Sequence, residues 1–236
     1  MTKIAMWSGP RNLSTAMMYA FAARPDCAAW DEPFYAAYLD RTGADHPMRD
    51  AILAAHERDA GVVAARCAGP IPDGKTVFYM KHMPHHMVEG MPLDWAEGCV
   101  NVHLIRHPAR VLASYAEKRD AVTLEDIGFV HQERILAALP GPVIDSADIR
   151  RAPETLLRLL CETINISFDY NMLSWPSGPK PSDGVWAAHW YNAVHRSTGF
   201  AAAEGALPAV AADHRDILEA ALPIYDRMRA VALSPS

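Results

Sequence analysis

The residues in this chain that are best suited to chemistry lie between Ser8 and Thr15, where a strand-like run ends. The stretch Pro10-Arg11-Asn12-Leu13-Ser14-Thr15 places a guanidinium group and two hydroxyls where a helix-forming segment begins. The unpaired N–H groups and the positive dipole end of a helix start point into such a loop, so we expect an anion to bind there. No Lys precedes Ser14, as a Walker A loop would require, so ATP is not the first expectation.

A second basic junction between a strand and a helix follows at His103–Tyr115. Arg106 directly follows the strand-like run Val100–Ile105, and Ser114 follows eight residues later on an expected helix. In open α/β sheets, ligands gather at the carboxyl ends of the strands, so both junctions are expected to face one crevice. A single ligand with separated phosphate groups would explain both.

Length and composition favour one globular domain over residues 1–236. Half of the residues are apolar and the formal net charge is −6, which argues against a nucleic-acid partner. Four widely spaced cysteines favour reduced thiols and a cytoplasmic location. We expect neither a signal segment nor a membrane span. The sequence leaves open whether the protein forms a homo-oligomer.

Alternating strand and helix patterns predict a three-layer α/β domain with a central parallel sheet flanked by helices. Residues 170–200 mix Pro, Gly, Trp and His irregularly, and we expect them to form a long loop over the active site. The predicted strands cover residues 3–8, 27–30, 76–80, 100–105 and 142–145. The predicted helices cover residues 14–23, 48–59, 108–119, 124–139, 153–164 and 213–228.

These motifs resemble the sulfotransferases that use 3′-phosphoadenosine 5′-phosphosulfate (PAPS), whose fold is P-loop-like. The loop Pro10–Thr15 matches the family's 5′-phosphosulfate loop, and Arg106 with Ser114 matches its 3′-phosphate site. The segment Val143–Cys161 looks like the family's later strand and Pro-Glu-initiated helix. Asp31-Glu32-Pro33 and the stretch Gly178–Trp186 look like those of one subgroup.

The resemblance implies transfer of a sulfuryl group from PAPS to a hydroxyl or amine of a small acceptor, without a metal. Adenosine 3′,5′-bisphosphate would be the product. Arg11 would stabilise charge on the leaving phosphate, helped by backbone N–H groups of Asn12 to Thr15. Loss of Arg106 or Ser114 would weaken donor binding first. The resemblance implies that the 5′-phosphosulfate loop consists of Pro10, Arg11, Asn12, Leu13, Ser14 and Thr15, and Lys180 is a further expected contact with the nucleotide.

Two residues compete for the role of catalytic base. His82, in Met80-Lys81-His82-Met83-Pro84, resembles the base of some family members, although the neighbouring lysine is displaced by one residue. Glu32, at the exit of the second strand, resembles the base of others, and the subgroup motif favours it. A histidine is the easier base at neutral pH, whereas Glu32 would need a pKa raised by burial or by Asp31. Adjacent strand residues face opposite ways, so the sequence leaves open whether Lys81 acts as a catalytic cation.

Other interpretations of the same residues are open. Arg11 could pair with a surface acid beside a capped helix, and Glu32 could be an ordinary helix cap or ion-pair partner. The histidine cluster His82, His85 and His86 lacks a carboxylate-supported ligand pattern, which disfavours a metal site. The alternatives to a sulfotransferase are a nucleotide or small-molecule kinase with a degenerate P-loop and a non-catalytic module that binds adenosine bisphosphate.

Overall fold

A computed structural model describes residues 1–116 and 122–235 of the chain. Six parallel strands form one sheet in the order β2-β3-β1-β4-β5-β6. The strands are β1 (Thr2–Ser8), β2 (Cys27–Asp31), β3 (Val77–His82), β4 (Val100–Ile105), β5 (Val143–Asp145) and β6 (Ala232–Leu233). The predicted α/β class and the parallel sheet are confirmed.

The helices lie along and around this sheet. They are α1 (Ser14–Ala22), α2 (Tyr35–Thr42), α3 (Arg49–Ala55), α4 (Ala60–Ala68), α5 (Pro108–Ala116), α6 (Phe129–Ala138), α7 (Ser146–Arg151), α8 (Pro153–Thr163), α9 (Ala187–Trp190), α10 (Asn192–His195) and α11 (Arg215–Arg229). Alternate strand residues divide the core between the two faces of the sheet. Ile4 and Met6 pack in the cluster that contains α1 and α8, whereas Ala5 and Trp7 pack in the cluster that contains α4 and part of α6.

The helix expected over residues 48–59 is shorter in the structure, and two further helices accompany it. It covers Arg49–Ala55, with α2 before it and α4 after it. The side chain of Asp59 caps α4 by accepting hydrogen bonds from the backbone N–H groups of Gly61 and Val62 at 2.8 and 3.1 Å. Gly61 is a poor helix former, which explains why the sequence pattern did not reveal this helix.

The helices near residue 120 also differ from expectation. The predicted helix 108–119 is observed from Pro108 to Ala116, and its last three residues lie outside the described residues. The helix predicted to begin at Leu124 begins at Phe129. A hydrogen-bonded turn between Thr123 and Asp126 precedes this helix. Gly128 is its N-cap residue and has a φ angle of 76°. This left-handed conformation suits glycine and prevents the helix from extending backwards.

Candidate active site

A cavity of about 360 Å³ opens at the carboxyl ends of the central strands, between the two strand–helix junctions. Both junctions therefore face one crevice, as the sequence predicts. All six predicted loop residues line this cavity, and so do Arg106, Ser114 and Glu32. Residues 170–200 do not form the expected long loop, since α9 and α10 lie within them, but they do line the cavity through Trp190, Tyr191, Ala193, Val194, Ser197 and Gly199.

The loop before α1 is held in an unusual backbone conformation. Arg11 and Leu13 have φ angles of 65° and 77°, in the left-handed region that side chains other than glycine rarely adopt. Such conformations persist only where the surrounding structure enforces them, and they concentrate at functional sites. Here they turn the chain so that the first turn of α1 opens onto the cavity.

Gln132 on α6 fixes this loop from outside the motif. Its Oε1 accepts a hydrogen bond from the backbone N–H of Gly9 at 2.8 Å. Its Nε2 donates to the carbonyl oxygens of Trp7 and Leu104 at 2.9 and 3.0 Å. Because the side chain is buried and satisfies three backbone groups, it couples the exits of β1 and β4.

The two predicted anion-binding junctions are joined by direct hydrogen bonds. Arg106 donates to the carbonyl oxygen of Arg11 at 2.7 Å. Arg11 in turn donates from Nε to the hydroxyl of Ser114 at 2.8 Å. Asn12 is buried, and its Oδ1 has no hydrogen-bond partner among the described residues.

A buried ionic cluster forms the other wall of the cavity. The Nζ of Lys81 donates to Asp31 Oδ1 at 2.8 Å and to Glu32 Oε1 at 2.7 Å. Tyr191 donates its hydroxyl proton to Asp31 Oδ2 at 2.7 Å and lies 2.5 Å from Lys81 Nζ. Trp186 adds a third hydrogen bond to Asp31 at 3.1 Å. Asp31 is thus enclosed by donors, whereas Glu32 keeps an oxygen towards the cavity side, 4.0 Å from His86 Nε2.

Burial and neighbouring charge set the protonation chemistry of this cluster. Burial raises the pKa of the Glu32 carboxyl above its ordinary value; Lys81 opposes this change and Asp31 reinforces it. Burial acts to lower the pKa of Lys81, but the carboxylates of Asp31 and Glu32 outweigh it and the pKa rises. Glu32 also has φ of 39°, another strained backbone position at the site. A carboxylate with a raised pKa is suited to accept a proton near neutral pH.

His82 is not brought to the cavity. It faces the opposite side of β3 from Lys81, with its ring 4.7 Å from Trp7 and 4.8 Å from Trp95. Burial among these rings lowers its pKa to about 3. The alternation of side chains along a strand explains the difference, since only one of two adjacent residues can face the site. This position does not favour His82 as the base, and Lys81 takes the site-facing position.

Lys180 likewise does not line the cavity that residues 10–15 line. Its Nζ donates to the carbonyl oxygens of Pro176 and Gly178 at 2.5 and 2.9 Å, and the residue lines a separate groove. Its segment is anchored by Asp183, which accepts a hydrogen bond from Tyr19 on α1 at 2.8 Å and pairs with His195 at 3.0 Å. The stretch 178–186 therefore supports the buried cluster, through Trp186, more directly than it contacts the cavity.

Aromatic and imidazole rings surround the part of the cavity beyond Glu32. Tyr35 stacks on His86 with ring centroids 4.6 Å apart, and its hydroxyl lies 2.9 Å from Nδ1 of His46. His85 and Trp190 complete this region. Within residues 1–116 and 122–235, no group of three or more His, Cys, Asp or Glu side chains is arranged to hold a metal ion.

Sequence reasoning missed Gln132 and Tyr191 as supports of the site. Gln132 gives no local signal, because it is a single polar residue on a helix far along the chain. Tyr191 lies in the segment that was expected to cover the site, so its position, though not its role, could be anticipated.

The fold and the cavity together define a class: an α/β domain with a crevice lined by arginine residues at the carboxyl edge of a parallel sheet. The chain belongs to the sulfotransferase domain family, whose model matches residues 2–232. Two relatives from Arabidopsis thaliana, named branched-chain-amino-acid aminotransferase-like proteins 2 and 1, are 36% and 37% identical over 97% and 96% of this chain. The chain spans 42% and 41% of their lengths, about two-fifths of each.

Solved sulfotransferase domains share the fold at low sequence identity. The domain from the Synechococcus PCC 7002 olefin synthase is 17% identical, with a TM-score of 0.52 over 93% of this chain and 94% of that chain. The domain from the curacin biosynthetic pathway is 15% identical, with a TM-score of 0.55 over 93% and 96%. A sulfotransferase from Alicyclobacillus acidocaldarius is 12% identical, with a TM-score of 0.56 over 98% and 95%.

Across the described part of the chain, none of the helices has both the length and the apolar character needed to cross a bilayer.

Proposed function

We propose that this domain transfers a sulfuryl group from PAPS to a hydroxyl or amine of a small acceptor. One observation carries the proposal: the cavity joins two linked cationic junctions to the buried carboxylate of Glu32, which directly follows β2. The donor's two phosphate positions would lie at the junctions, and the acceptor would lie near Glu32.

The residues of the cavity fit such a donor. The helix start after Leu13 supplies N–H groups, and Arg11 and Arg106 supply positive charge. The proposed donor supplies the sulfuryl group. Arg11 and the loop N–H groups would stabilise the negative charge that grows on the departing phosphate.

Glu32 would act as the base. The acceptor's heteroatom attacks sulfur while the bond from sulfur to the bridging phosphate oxygen breaks, and Glu32 takes the acceptor's proton. Lys81 holds the carboxylate in place at 2.7 Å, and Asp31 balances the charge of Lys81 on its other side.

The first test is thermal unfolding of the purified chain with adenosine 3′,5′-bisphosphate and, separately, with ATP plus Mg²⁺. A ligand at 100 times its dissociation constant adds about 2.7 kcal/mol, and each kcal/mol raises the midpoint by roughly 2–4 °C in a protein of this size. We expect a rise with the bisphosphate that Arg106→Ala abolishes and the surface variant Arg58→Ala retains. A rise only with ATP and Mg²⁺ would favour a kinase instead.

Glu32→Gln separates catalysis from donor binding. Losing a general base costs about 10²–10⁴-fold in rate, so turnover with an accepted substrate should fall by that factor. Bisphosphate binding should persist, because Glu32 lies on the acceptor side of the cavity. The measurement is mass-spectrometric detection of sulfated product from a panel of phenols, alcohols and amines. A variant as active as wild type would contradict the role given to Glu32.

A further inference from the structure

A surface segment after the cavity inserts one charged side chain into the protein. Residues 201–211 have no helix or strand, and the residues on both sides of Glu204, from Ala201 to Ala203 and from Gly205 to Leu207, are exposed. The Glu204 side chain is only 6% exposed. The segment is therefore attached to the domain at this point chiefly through one carboxylate.

Three arginines from different elements converge on that carboxylate. Arg106, which follows β4, pairs with Glu204 Oε1, and Arg150 of α7 donates to the same oxygen at 2.7 Å. Arg110 of α5 lies 3.2 Å from Oε2 through its Nε. The same arginines hold the backbone of the segment, since Arg150 donates to the carbonyl oxygen of Ala202 at 2.9 Å and Arg110 donates to that of Gly205.

One carboxylate does not match the charge of this arginine cluster. Three guanidinium groups carry three positive charges, and Glu204 supplies a single negative one. Its Oε2 has an ion-pair contact with Arg110 but no hydrogen bond of acceptable geometry among the described residues. A phosphate monoester would bring up to two charges and three terminal oxygens, which guanidinium groups bind in charge-assisted pairs.

The arginine cluster is continuous with the proposed donor site. Arg106 belongs to the cluster and also lines the cavity, where it donates to the backbone of Arg11. Ala201, at the start of the inserted segment, lines the same cavity. A phosphate bound by Arg106 would thus meet the Glu204 carboxylate and compete with it.

We propose that Glu204 occupies the phosphate site as an internal substitute, and that the donor's 3′-phosphate displaces it to bind Arg106, Arg110 and Arg150 together. The identity of the phosphate rests on the proposed function; the existence of an anion site guarded by Glu204 does not. The segment 201–211 leaves the arginines when the phosphate arrives. A nucleotide without a 3′-phosphate cannot displace it, so the exchange selects 3′-phosphorylated nucleotides.

The test compares nucleotide binding to wild type and Glu204→Gln by titration calorimetry on the full chain. An apparent dissociation constant is the intrinsic constant divided by the binding-competent fraction, so removing the internal competitor must tighten binding. We expect Glu204→Gln to bind adenosine 3′,5′-bisphosphate roughly tenfold more tightly or better. Adenosine 5′-phosphate, which lacks the 3′ group, should bind both proteins equally. Glu162→Gln, at an exposed position on α8, is the matched control and should change neither affinity.

Arginine variants test the enlarged site. Arg110→Ala and Arg150→Ala should each weaken bisphosphate binding in the Glu204→Gln background, where loss of the Glu204 ion pair no longer confuses the result. If Glu204→Gln weakens bisphosphate binding or leaves it unchanged, Glu204 is a structural clamp and the inference is wrong. The same conclusion follows if the arginine variants have no effect.

Inorganic phosphate distinguishes failure of this inference from failure of the proposed function. Thermal unfolding is measured for both proteins in phosphate and in chloride at equal ionic strength. If neither protein binds the bisphosphate, but phosphate stabilises Glu204→Gln more than wild type, the guarded anion site stands and the PAPS proposal fails. If phosphate gives no greater stabilisation of Glu204→Gln and the bisphosphate binds no more tightly to it, the guarded site is refuted.

Discussion

Replacing Lys81 with methionine removes the only cation that the described residues place between the buried carboxylates of Asp31 and Glu32. Lys81 is fully buried, and both carboxylates are at most 7% exposed, so water replaces the lost partner only in part. Breaking a buried ion pair by removing one member costs about 3–5 kcal/mol, because the remaining charge is left uncompensated. Lys81→Met should therefore lose about that much unfolding free energy at pH 8.

The deficit of Lys81→Met should depend on pH in a defined direction. The pKa of Glu32 is raised in the folded protein above its ordinary value of 4.5. A carboxyl group whose pKa is raised in the folded protein stabilises the folded state at pH values below its pKa in the unfolded chain. This stabilisation is lost as the pH rises through the pKa in the folded protein. Lys81 holds the Glu32 pKa down, so removing it raises this pKa further. The variant should lose stability more steeply with rising pH, and its deficit should shrink as the pH falls from 8 towards 5.

Urea unfolding at pH 5, 6.5 and 8, followed by tryptophan fluorescence, measures both effects. Lys75→Met is the matched control, since the Nζ of Lys75 donates to the carbonyl oxygen of Pro25 at the surface, at 2.7 Å. Its unfolding free energy should change by less than about 0.5 kcal/mol. Adding Glu32→Gln to Lys81→Met should recover part of the loss at pH 8. A deficit below about 1 kcal/mol, or one constant from pH 5 to 8, would refute this reasoning.

Two further variants test other parts of the site. His82→Phe should leave kcat/KM within about threefold of wild type. It should cost less than about 1.5 kcal/mol of unfolding free energy, because the ring packs between Trp7 and Trp95. A hundredfold loss of kcat/KM in a transfer assay would instead indicate that His82 is the base. Gln132→Leu should cost about 2–4 kcal/mol in urea unfolding and weaken bisphosphate binding, because it leaves the N–H of Gly9 without its acceptor and removes the hydrogen bonds donated to the carbonyl oxygens of Trp7 and Leu104. A loss below about 1 kcal/mol would contradict the anchoring role of Gln132.

The two strand–helix junctions were predictable because each is contiguous in sequence. A strand, a short loop and a helix start determine their own geometry, so Arg11 and Thr15 share one site without information from elsewhere in the chain. Arg106 and Ser114 lie eight residues apart on the next such unit. The parallel sheet then brings both units to one edge, as alternating strand and helix patterns imply.

The supports of the site come from distant parts of the chain that carry no motif. Gln132 reaches Gly9 across 123 positions, and Tyr191 reaches Asp31 across 160. Glu204 reaches Arg106 across 98 positions, from a segment whose composition of alanine and proline resembles an ordinary loop. Such contacts depend on how the layers pack, which periodicity alone does not specify.

The choice between Lys81 and His82 shows where a further sequence signal was present. A strand buried on both faces has apolar neighbours everywhere, so its hydrophobic pattern does not reveal which side chain faces the cavity. Charge does distinguish them, since a neutral imidazole can be buried among aromatic rings whereas a lysine ammonium requires a partner. The adjacent acids Asp31 and Glu32 end the neighbouring strand, and Asp31 pairs in register with Lys81. Pairing opposite charges across parallel strand ends would have assigned Lys81 to the site and His82 to the core.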